Sequence, residues 1–167
     1  VPASKSLLNR ALVLAAFSGK KISLLCGDFS EDTRAMLACL RALGVPCTPF
    51  ADGVVVDGSF APAKQAELDV NNAGTAARFL AVALAFYGGE YRLHSSAQMA
   101  RRPMDILRLL EEHGVRFEWL DKEYAFPFIL RSDGMEGAEE FIVNTDISTQ
   151  YASGLLLAAP IRTLPLS

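Results

Sequence analysis

The sequence predicts an α+β fold of repeated loop-helix-strand-helix-strand-strand units, two of them complete and a third begun. Three observations carry this reading. Alanine- and leucine-rich helical runs recur at Ser6 to Phe17 and at Thr75 to Tyr87, ended by Gly19 and by Gly88-Gly89. Gly44-Val45 and Gly114-Val115 close a second helix in each segment. A third opening appears at Ser148-Thr149-Gln150-Tyr151. The implied repeats run roughly over 1–70, 71–140 and 141–167, within one incomplete domain.

Taken in order, Ile22-Ser23-Leu24-Leu25 follows Gly19 as a strand. Asp32-Thr33-Arg34-Ala35-Met36-Leu37 opens an amphipathic helix, with Glu31 and Asp32 in the first turn where the helix dipole favours them. Ala51 to Gly58 reads as a hairpin partner after an Asp52-Gly53 turn. Tyr91-Arg92-Leu93 is the strand after Gly88-Gly89. Pro103 reads as the first residue of the next helix, supported by Asp105. Arg116-Phe117-Glu118-Trp119 alternates like a half-exposed strand, and the nearby aromatic residues read as strand packing. The third unit's helix, Ala152 to Ala159, is expected to stop at Pro160.

Composition narrows the function. The 167 residues suffice for one well-cored domain, and a 51% hydrophobic content argues against disorder. A net charge of −3 gives no general attraction to nucleic acid or to anionic membrane, so neither is expected as a partner. Charged residues interrupt every apolar run well short of the ~20 residues that a membrane span needs. Cys26, Cys39 and Cys47 form no CxxC pair, and only His94 and His113 could join them. Neither a disulfide framework nor a metal site is expected, no cofactor is called for, and a reducing cytoplasm is the expected setting. With no initiating Met and a stop at Pro165-Leu166-Ser167 soon after a helical run, the chain is expected to be an excerpt of a longer protein.

The cations stand in unusual places. A helix N-terminus carries partial positive charge and unpaired N–H groups, and so prefers acidic residues. Here Lys5 and Arg10 flank the start of the first helix, Arg78 follows Asn72-Ala73-Gly74-Thr75, and Arg101-Arg102 precede Pro103. The same loops supply hydroxyls at Ser4, Ser6, Thr75, Ser148 and Thr149, and Gly74 permits close backbone approach. If the repeats bring these loops together, they frame a pocket for a polyanionic small molecule. The simplest competing reading makes Ser6, Thr75 and Ser148 helix caps and the arginines surface side chains. Neither GxxxxGK[ST] nor GxGxxG is present, so this is not a P-loop or dinucleotide site.

Ser4-Lys5-Ser6 with Asn9-Arg10-Ala11-Leu12, Asp32-Thr33-Arg34-Ala35-Met36-Leu37, Asn72-Ala73-Gly74-Thr75-Ala76-Ala77-Arg78 and Arg102-Pro103 together resemble the 5-enolpyruvylshikimate-3-phosphate synthase family over essentially the whole chain. The resemblance implies two globular halves of three similar α/β units each, closing on substrates between them. It implies transfer of the enolpyruvyl group of phosphoenolpyruvate to the 5-hydroxyl of shikimate 3-phosphate. It further implies that Lys5 serves both substrates, that Ser6 and Arg10 grip shikimate 3-phosphate, and that Gly74 and Arg102 contact phosphoenolpyruvate. Thr75 and Arg78 would shape the loop around Gly74. Ser148 and Thr149 would hold the shikimate phosphate, and Gln150 both ligands. The acid–base carboxylates would come from the other half, the implied partner of this one, so no catalytic residue is expected here.

Three departures stand out. Thr149 replaces a common serine, Phe79 stands where some members have proline, and Gln98-Met99-Ala100 lacks the basic side chains often found before Arg102. The sister transferase acting on UDP-N-acetylglucosamine is the nearest alternative, but it opens Lys-Asn and usually carries a reactive cysteine before its Arg-Pro. His94 to Arg101 contains no cysteine. A binding module without enzymatic activity is the other alternative.

Overall fold

A computed structural model describes residues 4–135 and 149–163, with Lys5, Arg162 and Thr163 described by backbone alone. Helix α1 (Lys5–Ala16), strand β1 (Lys21–Leu25), helix α2 (Glu31–Ala42), β2 (Cys47–Phe50) and β3 (Gly53–Asp57) come first. Then follow β4 (Gln65–Asp69), α3 (Gly74–Tyr87), β5 (Gly89–His94), α4 (Ala97–Ala100), α5 (Ile106–Glu112), β6 (Arg116–Trp119) and β7 (Phe128–Ser132). Helix α6 (Thr149–Ala158) runs into a 3-10 turn, Ala159–Thr163. The expected mixed α+β class is observed. Ser148 lies outside the described residues, as do most of the third segment's opening residues.

The strands form two sheets, β1-β3-β2 and β4-β5-β7-β6. In the first, β3 pairs antiparallel with both neighbours, Ile22 opposite Val56 and Thr48 opposite Val55. In the second, β7 pairs antiparallel with β5 and β6 in the same relative order, while β4 adds to β5 in parallel, with Leu68 beside Leu93.

Helix α3 explains how these parts cohere. Every residue from Gly74 to Phe86 except Arg78 is buried, and a helix apolar all round must be enclosed. It packs on α1, α2, α5 and α6 and on strands β5 and β7. Its alanines let neighbours come close, and α6 does so at Gly154, where an added Cβ would lie 3.3 Å from Val82 Cγ2. The buried Ser132 hydroxyl donates to Ala85 O at 2.7 Å, pinning β7 to the end of α3. Apolar surface nevertheless remains on α1, β1 and α6, where Leu7, Leu25 and Leu156 are 66%, 80% and 76% exposed.

Three local expectations are corrected. The hairpin turn is Ala51-Asp52, because Gly53 already pairs with Phe50 as the first residue of β3. Pro103 does not begin a helix: α5 starts at Ile106, and Pro103 O instead accepts from Arg78 Nη2 and the Tyr151 hydroxyl. Arg101 is consequently the C-cap of α4, the end of a helix where a cation is favoured, and does not precede a helix start. Pro160 stops the α-helix as expected, while the helix itself begins earlier than expected, at Thr149. Lacking an N–H, Pro160 ends the α ladder at Ala158, and the backbone tightens into the 3-10 turn that contains it.

Two glycines separate backbone strain from collision. Gly19 has φ +68° with open space around its Cβ position; Gly89 has φ +132° and an added Cβ would sit 2.4 Å from Lys64 O. Gly19→Ala should therefore cost about 1 kcal/mol and Gly89→Ala roughly 3 kcal/mol or more, read from urea midpoints. Equal costs would show that Gly89 is not confined as described.

Burial, with the Asp69 charge second, pushes the Cys39 thiol from 9.0 up to about 12. The unfolded thiol ionises first, so the folded state binds the extra proton and this contribution to stability falls as pH rises between those values. Cys39→Ala should flatten the alkaline loss of stability in urea titrations. An unchanged slope would rule the thiol out as a source.

Candidate functional site

Helices α1, α3 and α6 are tied together near their starts, and none carries an acidic residue in its first turn. Helix α2 is the contrast: Ser30 Oγ accepts from Thr33 N, and Glu31 and Asp32 follow. At α1 and α3 the N-cap residues, Ser4 and Ala73, make no side-chain cap, so first-turn N–H groups remain available. Ser6 and Thr75 lie inside their helices and do not act as caps.

On α1, Arg10 spans all three helices. Its Nη1 donates to Ser6 Oγ one turn earlier, and its Nη2 donates to Ser153 Oγ of α6 at 3.2 Å. Its guanidinium carbon lies 5.3 Å from the centre of the Phe79 ring on α3, a cation–π contact. Ser153 in turn donates to Thr149 O at 3.0 Å. Thr149 is exposed as the first residue of α6; Lys5 is the first of α1, with its side chain outside the described residues.

The loop before α3 is set by its own polar residues. Asn71 takes φ +48°, a conformation Asn tolerates, and its N–H donates to Asp69 Oδ1 at 2.8 Å. Asn72 Nδ2 donates to Gln98 Oε1 at 3.0 Å, joining this loop to α4. Gly74 then stands between two guanidiniums: a Cβ there would lie 2.8 Å from Arg78 Nη1 and 3.3 Å from Arg102 Nη1. A side chain would displace one of them.

Arg78 sits one turn into α3 and reaches back. It donates to Gly74 O at 3.2 Å, to Gln150 Oε1 of α6 at 3.1 Å and to Pro103 O at 3.1 Å. The Tyr151 hydroxyl meets the same Pro103 carbonyl at 3.3 Å. Arg102 Nη1 is 3.5 Å from Asn72 O, a long contact. Among the described residues no carboxylate pairs with Arg10, Arg78 or Arg102, whereas Arg131 is held between Glu90 and Glu118 at 2.9 Å each. Gathered cations without counter-charge repel one another, and an anion relieves this.

The structure thus brings together Ser6, Arg10, Gly74, Thr75, Arg78, Arg102 and Gln150. Sequence reasoning missed Asn9, Asn72, Tyr151 and Ser153 as parts of the arrangement. Asn9 had a signal: it shares the helical face of Leu12, Val13 and Ala16, where a polar side chain needs a reason. Among the described residues no group of three or more His, Cys, Asp and Glu could hold a metal ion.

Comparison with known proteins identifies the family. The family model described as EPSP synthase (3-phosphoshikimate 1-carboxyvinyltransferase) matches residues 1–164. A 3-phosphoshikimate 1-carboxyvinyltransferase of Ralstonia nicotianae is 39% identical over 166 residues, 96% of this chain and 38% of the relative. Its counterpart in Bordetella avium is 41% identical over 165 residues, 97% of this chain and 37% of the relative. An EPSP synthase structure from Acinetobacter baumannii superposes with a TM-score of 0.74 at 25% identity, over 95% of this chain and 36% of that one. The chain therefore spans less than two fifths of the length of these relatives, and within that span it belongs to the EPSP synthase family.

Proposed function

We propose that this chain supplies the oxyanion-holding face of an enolpyruvyl transferase. The reaction moves the enolpyruvyl group of phosphoenolpyruvate to the 5-hydroxyl of shikimate 3-phosphate, releasing phosphate. The observation that carries this is the gathering of Arg10, Arg78 and Arg102 around the starts of α1 and α3 with no carboxylate partner among the described residues. Family membership supplies the substrates.

In this reading Ser6, Arg10, Ser148 and Thr149 hold the phosphate of shikimate 3-phosphate. Gly74 and Arg102 hold phosphoenolpyruvate, and Lys5 and Gln150 face both ligands. Thr75 and Arg78 keep the Gly74 loop in shape; the three hydrogen bonds of Arg78 support that role. A charge-assisted hydrogen bond to each ligand oxygen contributes roughly 1.5–3 kcal/mol in a water-poor site. Fixed cations also stabilise negative charge in the addition–elimination transition state without reorganising.

The chemistry needs a base at the hydroxyl and an acid at the methylene carbon, and those carboxylates belong to the rest of the protein. The chain is accordingly one partner of a two-part site and turns over nothing by itself. Its architecture is read as two full α-β-α-β-β units and the start of a third, over roughly 1–70, 71–140 and 141–167. The matching orders β1-β3-β2 and β5-β7-β6 support this. The buried free thiols Cys26, Cys39 and Cys47 suit a reducing cytoplasm.

Titration of the isotope-labelled chain with shikimate 3-phosphate should perturb Ser6, Arg10 and Thr149, and UDP-N-acetylglucosamine should not. Arg10→Ala should weaken that binding roughly tenfold or more. A response to the UDP-sugar alone would favour the sister transferase, and steady phosphate release by the isolated chain would refute the two-part site.

A further inference from the structure

We infer that Asn9 is a positioning residue: it holds the Thr75 hydroxyl as an acceptor and so commits the hydroxyl's own proton to an oxyanion at the start of α3. The inference rests on the reading above and adds a residue to which that reading gives no role.

Asn9 lies on α1 and is 0% exposed, yet its Nδ2 is 2.6 Å from Oγ1 of Thr75 on α3. An amide NH2 can only donate, so the threonine oxygen accepts, and its single O–H is left to serve another acceptor. Among the described residues that proton has no acceptor: the bond from Asn9 is the one hydrogen bond found for the Thr75 side chain. Thr75 follows Gly74, and the guanidiniums of Arg78 and Arg102 lie against that glycine. An acceptor drawn to two cations and a hydroxyl proton is an oxyanion, a phosphate or carboxylate oxygen.

The cost of the arrangement is visible. Asn9 Oδ1 is buried and has no partner. An apolar side chain on this face of α1 would avoid that penalty, and a half-satisfied buried amide is the kind of local conflict that accompanies a working site. Because Arg10 is the next residue, one turn of α1 sets both the cation that reaches α6 and the polarity of the hydroxyl on α3.

Two measurements on the labelled 167-residue chain test the inference. First, without ligand, the Asn9 side-chain NH2 signals should move on Thr75→Val, which keeps the shape and removes the acceptor. Unmoved signals would mean that the Asn9 NH2 does not donate to the Thr75 oxygen, and would overturn the proposal. Second, inorganic phosphate should shift the amides of Gly74 to Ala77. Asn9→Asp, which reverses the polarity, and Thr75→Val should each weaken this roughly tenfold or more, while Thr75→Ser restores it. Unchanged phosphate affinity in Thr75→Val sinks this proposal alone, and so does a Thr75→Ser chain as weak as Thr75→Val. An unsubstituted chain that ignores phosphate sinks the reading above along with it. Thr75→Val also keeps the test decisive if Asn9→Asp fails to fold.

Discussion

The arrangement depends on one guanidinium. Arg78 emerges from a helix that is otherwise buried and donates to three oxygens on three different segments: the start of α3, Gln150 of α6 and Pro103 after α4. Its partners are neutral. The charge is therefore spent on positioning without being cancelled, and it remains part of the local field. A carboxylate in place of Gln150 would make a stronger pair and a weaker anion site. This choice of partners also explains why the helix after Arg102 starts late. The Pro103 carbonyl would otherwise accept from the helical backbone, but Arg78 and Tyr151 have taken it.

The fold makes this possible by burying α3 on every side. Tyr91, fully buried, has its hydroxyl 2.8 Å from Gly88 O, and Ser132 bonds Ala85 O, so the C-terminal end of α3 is fixed by β5 and β7. With that end held, polar strain collects at the other. There the helix lacks a side-chain cap, Asn9 has an unsatisfied oxygen, and two guanidiniums crowd one glycine. A protein selected for stability alone would remove each of these. Their concentration around the start of α3 supports the reading proposed above.

Much of this was legible in the sequence. The long helices were readable because their apolar periodicity and glycine exits are local properties. Lys5, Arg10 and Arg78 were readable because cations near helix starts violate a preference, an argument that does not hold for Arg101-Arg102, which precede no helix start. The errors arose where distant parts override local preference. Pro103 looks like a helix start until Tyr151 and Arg78 claim its carbonyl from far along the chain. Strand β4 went unassigned because Gln65 to Asp69 carries no β-branched residue, and its pairing is with β5, beyond α3. Asn9 was visible as part of a motif, but its bond to Thr75 spans two helices and belongs to packing.

The claim most exposed to test is that the starts of α1, α3 and α6 bind an oxyanion jointly. A crystal structure of the chain grown with inorganic phosphate addresses it directly. The predicted result is phosphate density bounded by the first turns of these helices, within hydrogen-bond distance of Arg10 or Arg102. Density confined to arginines of the outer sheet face, such as Arg92 or Arg116, with the helix starts empty at saturating phosphate, would contradict it.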